Sequence, residues 1–249
     1  MTDNATVSWI EEESAGVRIF RPADPPPRTV IAFSGRGHAP DGEPTPTVFL
    51  ARRLATALGL DQAPIAWAKQ VHGATAATVR DEPALAASLH VGECDALATD
   101  RAGVALVVQT ADCVPILLSG NGAVGAAHAG WRGSARNVAA SAVDALRELG
   151  AEPASLRAWL GPSIGSCCYE VGGEVAAQFA GDFVRSNCGG GFRLDLRGVN
   201  VAQLVEAGVP REAIAVHPGC TKCGGEPFAS WRRDGARAGR MIALIARVS

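Results

Sequence analysis

The segment from Gly103 to Ala129, GVALVVQTADCVPILLSGNGAVGAAHA, constrains this chain more than any other. Its three apolar runs, broken by TADC and by SGNG, read as three consecutive buried strands rather than a helix. Around them lie TVIAF and IAWAKQV, both strand-like, and Val48 to Leu58, whose apolar residues recur at helical spacing before Gly59. SARNVAASAVDALREL predicts one amphipathic helix closed by Gly150. Further strands are expected at GVRIF, LRAWLG, AIAVHPG and MIALIARV, and short helices at EVAAQFA and VAQLVEAG. No repeat and no linker long enough to separate domains interrupts the pattern. With 249 residues, 47% of them hydrophobic, the chain can bury a full core, and the expectation is one mixed α and β domain over residues 1–249.

Charge and composition narrow the function. Lysine and arginine total 23 against 25 acidic residues, a formal net charge of -2, which speaks against a broad electrostatic nucleic-acid surface. No apolar run reaches the roughly 18 residues needed to cross a bilayer, so no membrane span is expected. MTDNATVSWIEEES has neither a basic nor an apolar leader region, and a cytoplasmic location is expected. The seven cysteines are odd in number and Cys167 and Cys168 are adjacent, so no complete disulfide framework can be drawn. Reduced thiols, a metal site or a nucleophile remain open.

A hairpin from Asp112 to Ala129 that turns at Gly120-Asn121 places Ser119 opposite Gly122 and Cys113 opposite His128. Opposed residues share a face with Cβ atoms about 4.5 to 5.5 Å apart, close enough to share one tetrahedral zinc. His72, at the end of IAWAKQV, is a third candidate ligand, and two His with one Cys leave a fourth position open, as catalytic zinc sites do. The same atoms also suit a thiol hydrolase with Cys113 as nucleophile, His128 as base and Asp112 or Asp95 as orienting group. In HAGWRGSARN, Arg132 and the amides at a helix start suit a phosphate or carboxylate, although Gly130 and Gly133 fit neither a Walker loop nor a dinucleotide fingerprint. Cys220 and Cys223 form one C-x-x-C pair, and neither Cys167-Cys168 nor Cys188 offers a second pair of that spacing, so a loop pair is expected. Arg232, Arg233, Asp234, Arg237 and Arg240 read as a solvated, salt-bridged face. Lys69 and Gln70 alternate across their strand, so at most one faces with His72.

QVHGA around His72, TADCVPILL around Cys113, AAHAGWRG around His128, LGPSIGSCCYEVG from Leu160 to Gly172 and FASWRRDG with Gly239-Arg240 occur in one order. Together they resemble the YfiH-like family, also called laccase-domain or polyphenol oxidase-like proteins. The resemblance implies an α+β fold, mixed sheets sandwiched between helices in α/β/β/α layers, similar to the catalytic domain of cytotoxic necrotizing factor. It implies zinc, with copper as the older alternative, held by His72, Cys113 and His128, which would also be the catalytic residues. Substrate contacts carry over to Arg132, Gln70 and Arg36. The implied activity is phosphorolysis of purine nucleosides (adenosine, inosine, methylthioadenosine), with adenosine deamination, copper-dependent polyphenol oxidation and peptidoglycan editing also described in the family. Purine nucleoside and phosphate are then the small-molecule partners. The N-terminal third departs from the family pattern: its Thr-Arg-x-Gly-Gly loop is reduced to Ser34-Gly35-Arg36-Gly37, and Leu50-Ala51 stands where an Asn-Arg pair is usual.

Overall fold

The strand Ala105–Thr110 shows why alternation is missing from the sequence. Ala105 and Val107 pack toward one helix layer, while Leu106 and Val108 pack toward a second sheet, so both faces are dry. The structure, a computed structural model, describes residues 8–80, 87–187 and 190–248; Cys188 and the first seven residues of the N-terminal reading lie outside them. This strand belongs to a mixed sheet of seven strands in the order Trp9–Ser14, Val17–Pro22, Thr29–Ser34, Met241–Arg247, Ala105–Thr110, Ile65–Lys69 and Ser88–Glu93. A second mixed sheet runs Ile214–Val216, Arg157–Leu160, Val114–Gly120, Ala123–Ala129, Ala96–Thr99 and Ala76–Thr78. Glu170–Val171, Phe192–Leu194 and Val184–Ser186 form a small third sheet.

The two large sheets face each other across Phe33, Leu106, Val108 and Ile245 on one side and Leu117, Val124, Ala126 and Trp159 on the other. The outer face of the first sheet is covered by the helix Pro46–Ala57, whose Leu50, Ala51 and Leu54 meet Ile65, Val107 and Leu244. The outer face of the second is covered by Val138–Arg147 and Leu196–Glu206, with Val143, Leu146 and Leu204 against Ile116, Leu118 and Ala127. The result is a single α+β domain in four layers, α/β/β/α. No helix among the described residues is long and apolar enough to cross a membrane.

Two local expectations are corrected. The central hairpin turns at Asn121-Gly122, where φ is 44° and 81°, the positive pair that a type I′ turn demands. Gly120 therefore pairs with Ala123 and His128 with Pro115, not with Cys113. Gly120 is glycine for packing: a Cβ there would lie 2.8 Å from Leu156 Cδ2 and 3.0 Å from the Ser155 carbonyl. The helix expected over SARNVAASAVDALREL is instead two, Trp131–Ala135 and Val138–Arg147. Between them Asn137 is left-handed at φ 64°, a conformation asparagine tolerates. The break is held from outside, because Asn200 Nδ2 donates to Ser134 Oγ at 2.9 Å and Gln203 Nε2 to the Ser134 carbonyl at 2.6 Å. EVAAQFA is helical only over Gly173–Ala176.

Leu117 is fully buried between the sheets. Leu117→Ala is expected to lower stability by about 2–5 kcal/mol, read as an earlier urea midpoint at unchanged slope; an unchanged midpoint would contradict the shared inter-sheet core.

Candidate metal centre and its pocket

The hairpin ends with the pair Ala129 and Val114, so the next residues on each side, Gly130 and Cys113, lie together beyond the last ladder bond. His128 sits one residue inside that end, and His72 arrives in the loop after Ile65–Lys69. One ligand atom from each of His72, Cys113 and His128 lies within 4.8 Å of the other two. The assumed register was wrong, yet Cys113 and His128 still meet, because the open ends of a hairpin's two strands lie at one edge, and the loop after Ile65–Lys69 brings His72 to it. Close approach explains Gly130: a Cβ there would stand 3.0 Å from both Cys113 Sγ and His72 Cδ2. His72 and Asp112 have φ of 58° and 94°, rare for residues with a Cβ, and such outliers need surrounding structure to hold them.

Asp95 holds the first. Its carboxylate, 1% exposed, accepts the backbone amides of Val71, His72 and Gly73 at 3.2, 3.0 and 2.7 Å. It also accepts His128 Nδ1–H at 2.8 Å, which leaves Nε2 as that ring's free ligand atom. Burial works to raise the Asp95 pKa, but the hydrogen bonds from His128, Gly73 and Val71 outweigh it and hold the carboxyl below its usual value. Of the two orienting groups considered, Asp95 occupies that position. Asp112 instead accepts Thr221 Oγ1 at 2.6 Å and the Arg232 amide at 2.7 Å.

Burial opposes ionisation of Cys113, yet His128 and His72 overcome it and lower the thiol to about 6. Burial likewise opposes charge on His128, and Cys113 and Asp95 overcome it, raising the imidazole to about 9. Between those values the metal-free centre is a thiolate–imidazolium pair. A carboxylate-backed histidine, a thiolate and a second histidine converging from three segments match the donor set of a borderline-soft divalent metal, zinc above all.

The centre opens into a cavity of 530 Å³ lined by, among others, Arg132, Tyr169, Trp231, Arg232 and Arg240. Arg132 stacks on Trp131 at 4.3 Å, Arg232 on Tyr169 at 5.1 Å and Arg240 on Trp231 at 5.8 Å, measured to ring centroids. Each guanidinium is thus preset by an aromatic ring. The long helix expected to start just after Arg132 is replaced here by the five-residue helix Trp131–Ala135, so anion binding rests on guanidiniums more than on a helix dipole. Burial, then the Cys113 charge, push the Tyr169 phenol up to about 12, so it remains a donor at neutral pH.

Gln70 lines the cavity, but both ends of its amide are engaged: Nε2 donates to the Gln109 carbonyl and Oε1 accepts the Gln109 amide, each at 2.8 Å. Lys69 pairs with Glu93 at the surface at 2.7 Å. Arg36 lies outside the cavity lining, with Nη2 on the Arg237 carbonyl at 2.9 Å and Nη1 3.4 Å from Asp234. Of the basic cluster assigned to a solvated, salt-bridged face, Arg232 is exposed and Arg240 half-buried, and the structure adds that both also line the cavity. On the short helix Trp231–Asp234, Arg232 joins the cavity while Arg233 pairs with Asp234 at 2.8 Å and donates to the carbonyls of Thr221 and Phe228. A charge run cannot show which of two adjacent arginines faces a cavity; only the SCCYEVG and FASWRRDG blocks signalled Tyr169, Trp231 and Arg232. The C-x-x-C pair is corrected too: Cys220 and Cys223 meet Cys167 and Cys168, with all four sulfurs within 4.8 Å of one another.

A four-layer α+β scaffold with a His/Cys/His candidate metal centre at a hairpin end, under an arginine-lined cavity, defines a laccase-like class. The family model described as multi-copper polyphenol oxidoreductase laccase matches residues 47–248, and the chain belongs to this YfiH-like family. It is 40% identical over 198 residues to purine nucleoside phosphorylase ORF3 of Streptomyces griseus, covering 78% of each chain. It is 38% identical over 208 residues to adenosine deaminase RL5 of an unknown prokaryotic organism, covering 78% of this chain and 79% of that one. The crystal structure of YlmD from Geobacillus stearothermophilus superposes with a TM-score of 0.83 at 32% identity, covering 97% of this chain and 100% of that one.

Asp95→Asn is expected to weaken metal binding at the triad about 10–100-fold, measured by competition with a chromophoric chelator; unchanged affinity would remove Asp95 from its supporting role. In chelator-treated protein, Cys113 alkylation followed by peptide mass spectrometry should fall only as pH drops through about 6, because the lowered pKa keeps the thiolate above that value. A fall centred near the ordinary thiol pKa would contradict the ion pair.

Proposed function

We propose that this chain is a zinc-dependent purine nucleoside phosphorylase acting on adenosine, inosine and methylthioadenosine. The observation that carries the reading is the juxtaposition of the His72, Cys113, His128 centre with three ring-stacked arginines in one cavity. The phosphorylase names of its relatives support it. Phosphorolysis needs an anionic nucleophile held beside C1′ of the ribose and a site that stabilises charge as the base departs. Arg132, Arg232 and Arg240 supply fixed positive charge for phosphate, with the bidentate forks that suit its oxygens. The exposed part of the Trp231 indole offers apolar surface for the purine, and the protonated Tyr169 offers a donor to a sugar or base oxygen or nitrogen. A phosphate oxygen forms the new bond to C1′, the bond from C1′ to the purine nitrogen breaks, and its electron pair leaves with the base, which takes up a proton. Zinc held by His72, Cys113 and His128 would supply a Lewis acid for substrate oxygen or nitrogen. Asp95 keeps the His128 ring in the tautomer that directs Nε2 inward.

The deaminase name of one relative gives a second reaction at the same centre. The H-x-E and P-C-x-x-C signature of the usual zinc deaminases is absent, and the carboxylate of Asp112 in the cavity lining is engaged by Thr221 and Arg232. Phosphorolysis is therefore favoured. A thiol hydrolase acting on a cell-wall precursor or an amide is the alternative that the Cys113, His128, Asp95 chain favours. Copper-dependent polyphenol oxidation needs several coppers with many histidines, and the described residues bring two histidines to the centre, so we assign it as a side reaction at most.

Metal-analysed protein incubated with adenosine should yield adenine and ribose 1-phosphate only when phosphate is present, and lose that activity on chelation, read by liquid chromatography with mass detection. Arg132→Ala should raise the KM for phosphate by roughly tenfold or more. Inosine formation without phosphate dependence would favour deamination, and turnover that survives chelation would favour the thiol hydrolase.

A further inference from the structure

Four of the cysteines away from the triad come from two loops that lack regular structure. Cys167 and Cys168 follow Arg157–Leu160, and Cys220 and Cys223 follow Ile214–Val216. A parallel bridge between Ser163 and Cys220 aligns the loops, with the Thr221 amide donating to the Ser163 carbonyl at 3.0 Å. The Sγ atoms of Cys167 and Cys223 are 3.7 Å apart. That is far beyond the roughly 2.05 Å of a disulfide bond. Four sulfurs at about 2.3 Å from one tetrahedral zinc lie about 3.8 Å apart along each edge, which this separation matches.

We propose that Cys167, Cys168, Cys220 and Cys223 bind a second divalent cation, thiophilic and of the zinc class, in a closed four-thiolate site that ties the two loops together. A closed tetrathiolate set leaves no open position, so the site is structural. The surroundings suit anionic sulfur. The Gly165 amide donates to Cys220 Sγ at 3.3 Å. The Arg197 guanidinium interacts electrostatically with Cys220, Cys167 and Cys223, which offsets part of the excess negative charge of four thiolates around one dication. Arg197 also fastens the loops directly, donating from Nε to Ser163 Oγ at 2.8 Å, from Nη1 to the His217 carbonyl at 3.1 Å, and from Nη2 to the carbonyls of Ser163 and Gly219. Cys167 and Cys223 are exposed, which gives the ion a route from solvent.

The site reaches the cavity through covalent neighbours. Tyr169 follows Cys168, and Thr221, between Cys220 and Cys223, holds the Asp112 carboxylate beside Cys113. The second ion thereby sets one wall of the cavity without touching substrate. This inference does not depend on the reaction proposed above, and its test does not read activity.

Full-length protein purified under reducing, anaerobic conditions should contain about two zinc ions per chain, whereas Cys223→Ser should contain about one, by elemental analysis. Should that variant fail to fold, Cys113→Ala decides. It has no thiolate at the triad, so after cobalt exchange it should still show sulfur-to-cobalt charge transfer and the strong visible bands of tetrahedral cobalt. Its four loop cysteines should resist a thiol reagent until chelator is added. A Cys113→Ala protein with no cobalt–thiolate spectrum, with freely reacting loop thiols, or with an intact mass showing disulfides among these four cysteines would overturn the proposal.

Discussion

The centre depends on one buried carboxylate. Asp95 is removed from solvent, and a charge so placed is tolerated only when its oxygens are fully engaged. Its acceptors are filled by one imidazole and three successive amides. The amides belong to the turn that carries His72 at positive φ, so the same group that orients His128 also offsets the strain of presenting His72. Asp95 itself, just before the strand Ala96–Thr99, is fixed by its backbone: its amide donates to the Thr75 carbonyl at 3.0 Å, and its carbonyl accepts the His128 amide at 2.8 Å. Two histidines from different parts of the chain are set by one side chain, and Cys113 completes the set because the hairpin ends there.

The cavity wall follows a similar economy. A free arginine carries about 2 kcal/mol of rotamer entropy, and part of that is spent in advance when the guanidinium lies on a ring. Trp131, Tyr169 and Trp231 each carry one guanidinium of the cavity in this way. Neighbouring arginines have other work. Arg233 and Arg197 satisfy the carbonyls of loops that have no strand or helix to do so. Basic residues that look alike in the sequence therefore divide into cavity-lining and loop-fastening groups.

Loops carry most of the cavity, and loops have little apolar surface with which to stabilise themselves. Here they are secured by Asp112, in the connection from Ala105–Thr110 to Val114–Gly120, by Arg197 at the start of the helix Leu196–Glu206, and by the four cysteines in the loops after Arg157–Leu160 and Ile214–Val216. The sheets supply the rigid floor on which His128 and Cys113 stand. The three candidate metal ligands thus sit on or beside strands, while the arginines that line the cavity sit on short helices and connections.

Runs of apolar residues from Ala105 to Ala129 determined buried strands by themselves, because a strand dry on both faces cannot be anything but apolar, and the ordered QVHG, ADC and HAGWRG blocks marked the triad. The tertiary structure decided what depends on packing. Gly120 is glycine because of Leu156, so the turn moved by one residue to the Asn121-Gly122 pair, and every hairpin partner moved with it. Ser134 is held by Asn200 and Gln203, so one predicted helix became two. Cys167 and Cys220 are 53 positions apart in the chain and carry no spacing signature, yet a bridge at Ser163 brings them together. Local pattern reports what a residue must be buried against only when its neighbours in sequence are also its neighbours in space; where distant segments meet, only the fold can say that Arg232 reaches the cavity, which amides meet the Asp95 carboxylate and which four cysteines come together.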